Sequence, residues 1–587
     1  MRNRIILHLF WIAFAISPTT VAQQVKVRID AGTTIARVNP WLYGINTARW
    51  DESLFPCPPG DALLTADRDA ISKIRASGIT LLKYPGGNDA DQYVWNAPSN
   101  RSTEMDTDEY IALCRAVGAE PFITVNFNEP PELAAAWVRD CNITKSYNVK
   151  LWEVGDEQWG TWARGHVPPE EYAKKYIRFV SAMRSVDPTI KVATNVPLGS
   201  HPENWAPRVL KAAHDYIDML TFTYFPQQWG KENDDTLFAT VGEYRRLFSK
   251  LRSDVEEALG PARASSVMYV NVGYNSVNHS PGPQTIQMAN ALWTADMLGA
   301  MGELGTDIAC FWALHNFYPP RGGDFGYLSS EGSNTPRYSY YTFPLLRAHL
   351  RDDVCSVTGG SEALSAYASR SGKRLSLVLI NKSKRTSTSA VVTIDQFVPQ
   401  RRAKVWVLDE KRSYRQIEDR NDVSPSFPVS LPPYSILALE MIDADSVIPP
   451  GNLARFAGAT ASSYSTIGPH FKPASAIDGI PDTRWNSAAW TKSNGLEAQW
   501  FGLSWKKTNR INRVKISWGE THAVQYVLKA STDGKKWKTL LVISDGTGGL
   551  EEHVIEPTLI RFLRIEGKKG SKGISAYSIR EIEVFGE

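Results

Sequence analysis

The stretch Lys150-Leu151-Trp152-Glu153-Val154-Gly155-Asp156-Glu157 is an apolar run that ends in a glycine and two acids. A long amphipathic segment, Pro169–Ser185, follows it, and then a second apolar run, Lys191–Thr194. Strand, turn, helix and strand in that order form the unit of a parallel sheet, whose strands need a long crossover between them. Outward from this point the unit recurs. Apolar runs at Leu42–Ile45, Thr80–Tyr84, Pro121–Asn126, Met219–Tyr224, Val267–Val272 and Ile308–Ala313 bring the candidate strands to eight. Helix-like segments at Asp67–Ala76, Thr107–Val117, Glu132–Asp140, Thr236–Leu259 and Gln284–Leu304 lie between them. Eight such units between Trp41 and Trp312 predict a (β/α)8 TIM barrel, bounded as 38–350. A doubly wound open sheet would need a Gly-rich phosphate turn after its first strand, and Gly44-Ile45-Asn46 is not one.

A chain of 587 residues exceeds what one core supports, since cores stop growing beyond roughly 250–300 residues. After the barrel the pattern turns all-β. Leu375–Asn381, Ala390–Ile394, Lys404–Leu408 and Ser435–Met441 read as strands of an accessory β-sandwich, assigned to 24–37 and 351–442, with Val25–Asp30 adding a strand. Residues 443–452, with Pro449-Pro450-Gly451, read as a linker. Residues 453–587 are again all-β, with Arg513–Trp518, Gln525–Ser531, Trp537–Val542 and Ile560–Ile565 as strands and Ser531–Lys535 as a hairpin turn. At the other end, Arg2 and Arg4, the apolar run Ile5–Ile16 and Thr20-Val21-Ala22 read as a signal peptide over 1–22, which implies a secreted or periplasmic protein.

Removing Arg2 and Arg4 from 65 Lys+Arg leaves 63 against 62 Asp+Glu, and this near-neutral balance gives no support for a nucleic-acid partner. No later run approaches the ~20 apolar residues of a membrane span. The five cysteines, Cys57, Cys114, Cys141, Cys310 and Cys355, lack CxxC spacing, which argues against a zinc or redox site. Export permits a disulfide, and the odd number leaves at least one thiol unpaired.

In a TIM barrel the chemistry sits at the C-terminal ends of the strands. Those ends carry Leu82-Lys83-Tyr84-Pro85-Gly86-Gly87-Asn88, Trp152-Glu153-Val154-Gly155-Asp156-Glu157 and Tyr274-Asn275-Ser276 followed by Pro281-Gly282-Pro283-Gln284-Thr285. Trp312-Ala313-Leu314-His315-Asn316 and Gly326-Tyr327-Leu328-Ser329-Ser330 complete the series. In order and content these motifs resemble α-L-arabinofuranosidase-like members of the retaining clan A glycoside hydrolases, over about residues 25–442. The resemblance implies hydrolysis of an O-glycosyl bond by two carboxyl groups, with no cofactor for catalysis and a polysaccharide or oligosaccharide as partner. It places the acid/base at Glu157 and puts Asp156 where the family has Asn. It puts Thr223 where the family has His, and Gly273 where the family has the nucleophilic Glu. Two readings follow: hydrolysis through an altered pair, with Asp156, Asp89 or Glu129 activating water in an inverting manner, or a non-catalytic glycan binder. An adjacent Asp156 charge is expected to raise the pKa of Glu157. Substrate contacts are expected from Asn88, Asp91, Asn126, Trp159, Tyr224, Asn275, Trp312 and His315, and Trp162 is a second candidate beside Trp159 for a stacking wall.

Pro473-Ala474-Ser475-Ala476-Ile477-Asp478-Gly479, Asp482-Thr483-Arg484-Trp485-Asn486-Ser487 and Ser578-Ile579-Arg580-Glu581-Ile582 resemble the discoidin, or coagulation factor type C, domain, whose bacterial versions include family 32 carbohydrate-binding modules. The resemblance implies a structural Ca²⁺ held through Asp478, Thr483 and Glu581, although Ile480 offers no side-chain ligand where the family often has one. Loop position makes Trp490, Glu520 and His522 candidates for sugar contact, and Trp485 and Trp518 read as core.

Overall fold

A computed structural model describes residues 25–51, 54, 67–97, 104–316, 321–330, 333–444, 452–465, 471–479, 483–489, 499–571 and 576–586. The leader, Cys57, the bulk of the linker, Ile480 and Trp490 lie outside the described residues.

After β1 (Val25–Arg37) come eight short strands: β2 (Gly44–Asn46), β3 (Leu81–Tyr84), β4 (Glu120–Val125), β5 (Leu151–Val154), β6 (Lys191–Asn195), β7 (Met219–Tyr224), β8 (Met268–Tyr274) and β9 (Ile308–Phe311). They pair in parallel and close, with Gly44 of β2 opposite Cys310 of β9. Side chains alternate in and out along each strand. Leu81, Phe122, Leu151, Ala193, Met219, Val270, Ile308 and Cys310 fill the lower interior. Two residues further along, the inward positions of β3, β4 and β5 are Lys83, Thr124 and Glu153, all buried. The outward residues Leu82, Ile123, Trp152 and Val154 pack under the helices.

The helices are α1 (Arg68–Ser77), α2 (Thr107–Val117), α3 (Pro131–Val138), α4 (Pro169–Val186), α5 (Trp205–Ala213), α6 (Asp234–Leu259), α7 (Pro261–Ala264), α8 (Met288–Leu304) and α9 (Thr342–His349). Their ends follow from local chemistry. Asp106 and Glu109 form a reciprocal capping box at the start of α2, and Gly118 closes it in the left-handed conformation. Three expected bounds shift. Leu42 belongs to a 3-10 turn, Pro40–Leu42, rather than to the first strand. The third helix ends at Val138 and runs into a wider π turn, Arg139–Thr144. The last long helix starts at Met288, with Pro283–Ile286 a separate 3-10 turn.

The accessory domain comprises β1 with β10 (Asp353–Gly359), β11 (Leu364–Ser371), β12 (Arg374–Asn381), β13 (Thr388–Asp395), β14 (Pro399–Asp409), β15 (Arg412–Gln416), β16 (Ser426–Leu431) and β17 (Ser435–Asp443). They form one curled nine-stranded sheet, in which β1 lies antiparallel to β10 and parallel to β13. The terminal domain comprises β18 (Gly458–Ala461), β19 (Trp485–Asn486), β20 (Trp500–Trp518), β21 (Ala523–Ser531), β22 (Lys538–Ile543), β23 (Leu550–Gly570) and β24 (Ser578–Gly586), around a core that includes Trp485 and Trp518. Among the described residues no helix is long and apolar enough to cross a membrane. Cys114, Cys141, Cys310 and Cys355 are buried free thiols.

Candidate active site

Glu157 lies just beyond the C-terminal end of β5. Gly155, at φ 69°, and Glu157, at φ 58°, both take left-handed backbone, so the chain turns sharply and drops the Glu157 side chain into the barrel mouth. A non-glycine residue there costs of order 1–3 kcal/mol, which functional sites tolerate when the surroundings over-determine the geometry. Those surroundings are specific. Thr223 Oγ1 donates to Glu157 Oε1, Trp162 Nε1 donates to Oε2 at 2.8 Å, and Asn88 Nδ2 approaches Oε2 at 3.4 Å.

Asn88 Nδ2 also donates to Asp156 Oδ2 at 2.7 Å. One nitrogen therefore bridges both acids, and their nearest oxygens stand no more than about 6 Å apart. The other Asp156 oxygen meets Lys83 Nζ at 3.3 Å, and Lys83 Nζ also meets Glu153 Oε2 at 3.1 Å. Glu153 Oε2 accepts from Thr124 Oγ1 at 2.7 Å. This buried cluster fixes Asp156 from below.

Burial is the first cause that pushes the Glu157 carboxyl above its usual range, and the Asp156 charge is the second; the bonds from Thr223, Trp162 and Asn88 oppose both. The expected Asp156 effect has the right sign, but desolvation outranks it. Asp91 is pushed up to about 7, again chiefly by burial.

A cleft of about 830 Å³ opens over these groups. Of the expected contacts, Asn88, Asp156, Glu157, Trp159, Tyr224 and Trp312 line it. Tyr224 presents its ring, while its hydroxyl donates to Thr240 O at 2.6 Å. Four expected contacts, Asp91, Asn126, Asn275 and His315, are not among the residues that line the cleft; they bond to the framework instead. Asp91 accepts from the backbone N–H groups of Phe127 and Asp156 and from Gln158 Nε2. Asn126 bonds Tyr93 O and Asn128 N. Asn275 bonds Trp312 O and Ser276 N, and His315 is clamped between Asp51 and Asn334 at 2.9 Å on each side. Trp95 stacks on Trp137 and belongs to the packing.

Gly273 lines the same cleft, paired with Thr223 across β7 and β8, and takes no left-handed backbone. A Cβ there would meet Thr223 Cγ2 at 3.4 Å and Phe225 Cζ at 3.5 Å, which are ordinary contacts. Leu198, Phe225, Asn278 and His279 also line the cleft and were not singled out from sequence, and Asn46 lines it at the end of β2. Lys83 and Glu153 were not singled out either, although charged residues inside apolar strands, rarely buried unless paired, are a readable signal of a barrel-interior ion cluster.

In the terminal domain Thr483 Oγ1 donates to Asp478 Oδ1 at 2.7 Å, and Gly479 N donates to both Glu581 oxygens at 3.2 Å. The three expected metal residues are therefore neighbours. Burial and the Asp478 charge hold Glu581 well above the usual carboxylate range. Among the described residues no group of three or more His, Cys, Asp or Glu side chains forms a metal cluster. Glu520 is exposed and His522 half-buried, on the loop between β20 and β21.

Comparisons with known proteins bear on both halves. The F5/8 type C domain model matches residues 458–582. A probable α-L-arabinofuranosidase C of Aspergillus clavatus is 27% identical over 204 residues, covering 28% of this chain and 40% of that protein. An intracellular exo-α-(1→5)-L-arabinofuranosidase of Streptomyces lividans is 27% identical over 258 residues, covering 37% and 39%. The matched stretch thus spans about two fifths of these curated relatives. Among solved structures, the α-L-arabinofuranosidase of Thermotoga maritima superposes with a TM-score of 0.61 at 19% identity, over 71% of this chain and 99% of that one. A Paenibacillus polymyxa xyloglucanase of glycoside hydrolase family 44 does so at 0.53 and 13% identity, over 71% and 99%. The structures share the barrel-plus-sheet fold with this chain, and the curated relatives support a glycoside-hydrolase ancestry of arabinofuranosidase type.

Proposed function

We propose that the chain is an exported, carbohydrate-directed protein whose cleft takes a pentosyl unit of a polysaccharide, with Glu157 as proton donor to the glycosidic oxygen. One observation carries this reading: a half-buried carboxyl group at the barrel mouth that its surroundings hold above its usual range. A general acid must keep its proton near the working pH, and burial is the ordinary means of achieving that. The likeness to proteins named α-L-arabinofuranosidases supports an arabinofuranoside-like substrate. The apolar run at Ile5–Ile16 behind Arg2 and Arg4 supports export.

Asp156 is the second carboxylate of this reading. Lys83 Nζ at 3.3 Å and Asn88 Nδ2 at 2.7 Å hold it in place beside the position where positive charge develops at the sugar. Gly273 has no side chain, so no covalent glycosyl intermediate can form on it. Displacement then falls to water. That same glycine favours a second reading, a cleft that binds glycan without turnover.

Aryl pentofuranosides and pentopyranosides, assayed with the full chain and its Glu157→Gln variant, separate the two. On the first reading the wild type turns over at least one of them and Glu157→Gln loses activity by about 10²–10⁴-fold. Strong activity appearing only in Gly273→Glu, where the added Cβ fits, would establish the second. A chain that neither cleaves nor binds any of these sugars would sink both.

For the terminal domain we propose glycan binding by the loop end that carries Glu520 and His522, and a structural Ca²⁺ at Asp478 and Glu581. Two crowded carboxylates with a hydroxyl beside them form a hard-oxygen donor set, which suits this ion. Bound there, the ion would supply charge compensation and no chemistry. Glycan-array binding by the full chain, compared with a His522→Ala, Glu520→Ala double variant, tests the sugar assignment, and identical profiles would remove it.

A further inference from the structure

Next to His279, which lines the cleft, stands Trp229, a residue the proposed chemistry does not use. The loops after β7 and β8 are joined there. Gln227 forms a parallel bridge with Val277, Asn278 N donates to Gln227 O at 3.0 Å, and Trp229 N donates to Asn278 Oδ1 at 3.0 Å. The Trp229 indole is nonetheless 45% exposed. Its ring lies 6.0 Å from that of His279, which lines the cleft itself.

The indole is also braced from one side. The Arg321 guanidinium sits 5.4 Å from its ring centroid. Arg321 is held by Glu232 at 3.2 Å, and Glu232 accepts from Gly282 N at 2.8 Å. Gly230, at φ 80°, permits the approach, since a Cβ there would meet Arg321 Nη1 at 2.7 Å. A large exposed indole fixed by backbone, cation and neighbouring ring loses little entropy when something stacks on it. Its place next to His279 says what stacks.

We infer that Trp229 is an outer subsite, a stacking platform for a second sugar ring of the same glycan whose neighbour occupies the cleft. The sugar we assign to it is neutral, because Arg321, the cation packed on the indole, is already matched by Glu232. The inference rests on the cleft being a sugar site and adds that the ligand is an oligomer rather than a single residue.

Titration calorimetry on the full chain in a Glu157→Gln background tests it, with L-arabinose and linear α-1,5-linked arabino-oligosaccharides of two to four units as probes. Binding sites on the terminal domain are common to all variants and cancel in the comparison. Trp229→Ala is expected to weaken the longest probe by about tenfold and to leave arabinose unchanged, with Trp229→Phe retaining most of the affinity. Unchanged oligosaccharide affinity in Trp229→Ala overturns the subsite and leaves the cleft reading intact. Parallel loss of arabinose and oligosaccharide, in a variant whose melting curve matches its parent's, overturns it too, since Trp229 would then belong to the cleft. Absence of binding by the parent to every probe sinks the cleft reading and this inference with it.

Discussion

Glu157 is governed by opposing local forces that single substitutions separate. Burial and the Asp156 charge favour its protonated form, whereas donors from Thr223, Trp162 and Asn88 favour its charged form. Asp156→Asn removes a repelling charge, so the Glu157 pKa is expected to fall. Thr223→Val removes a donor to the carboxylate, so it is expected to rise. Carboxyl-carbon NMR of ¹³C-labelled glutamate, with the Glu157 signal assigned by its loss in Glu157→Gln, reads both shifts whether or not the chain turns over substrate. Shifts of the same sign in the two variants would contradict this account. Glu157 and Gly273 were legible because motif order fixes their positions along the chain. The framework bonding of Asp91, Asn126, Asn275 and His315, away from the cleft lining, was not. A motif locates a strand end but not the direction of a short polar side chain, and such side chains bond readily to nearby backbone groups, as these Asp and Asn residues do.

At the level of the strands, the barrel interior carries a charge cluster that a wholly apolar reading of β3 and β5 overlooks. Lys83 is buried between Glu153 and Asp156, and its pKa is raised by those two carboxylates against the cost of desolvation. Removing one partner of a buried ion pair leaves an uncompensated charge, which costs about 3–5 kcal/mol. Lys83→Met is therefore expected to destabilise the barrel by that order in denaturant titration; a change under about 1 kcal/mol would mean the carboxylates protonate at little cost. The eight strands were readable because each is a short apolar run bounded by glycine, proline or polar residues. Helix α5 was missed although Trp205, Ala206, Val209, Leu210 and Ala213 form a buried helical face. Pro207 falls in its first turn, where a missing N–H breaks no helical bond, so the proline marks a helix start rather than a break. The accessory strands β10, β11, β15 and β16 were missed for another reason: burial alternates along β16, but most of β15 is solvated, so the sequence carries little apolar signal there.

Across the whole molecule the described residues form four hydrophobic clusters, one inside the barrel, one around it, one within the accessory sheet and one in the terminal domain. The outward barrel residues share one cluster with Tyr367, Val378, Ile380 and Ile436 of the accessory sheet. Helix α8 lies at that junction, buried from Met288 to Gly302, with its Asp296 paired to Lys382 and bonded by Tyr367. Barrel and accessory sheet are expected to unfold together. The terminal domain has a core of its own, from Ala454 to Val584, and is expected to melt as a second transition. The proposed calcium ion should act on that transition alone. At a hundredfold excess over its dissociation constant a ligand specific to the folded state adds about 2.7 kcal/mol, enough to move a melting midpoint by several degrees. The dependence on pH has a definite sign. Without a cation the folded domain holds the Glu581 proton more tightly than the unfolded chain does. Its stability therefore falls as pH rises from the ordinary glutamate range toward the raised folded value. With calcium bound, the ionised pair is compensated and that slope flattens. Calorimetric scans of the full chain in calcium and in chelator, across pH, should show one transition that moves and one that does not, with Glu581→Gln abolishing the response. Two transitions that both ignore calcium would remove the ion from Asp478 and Glu581.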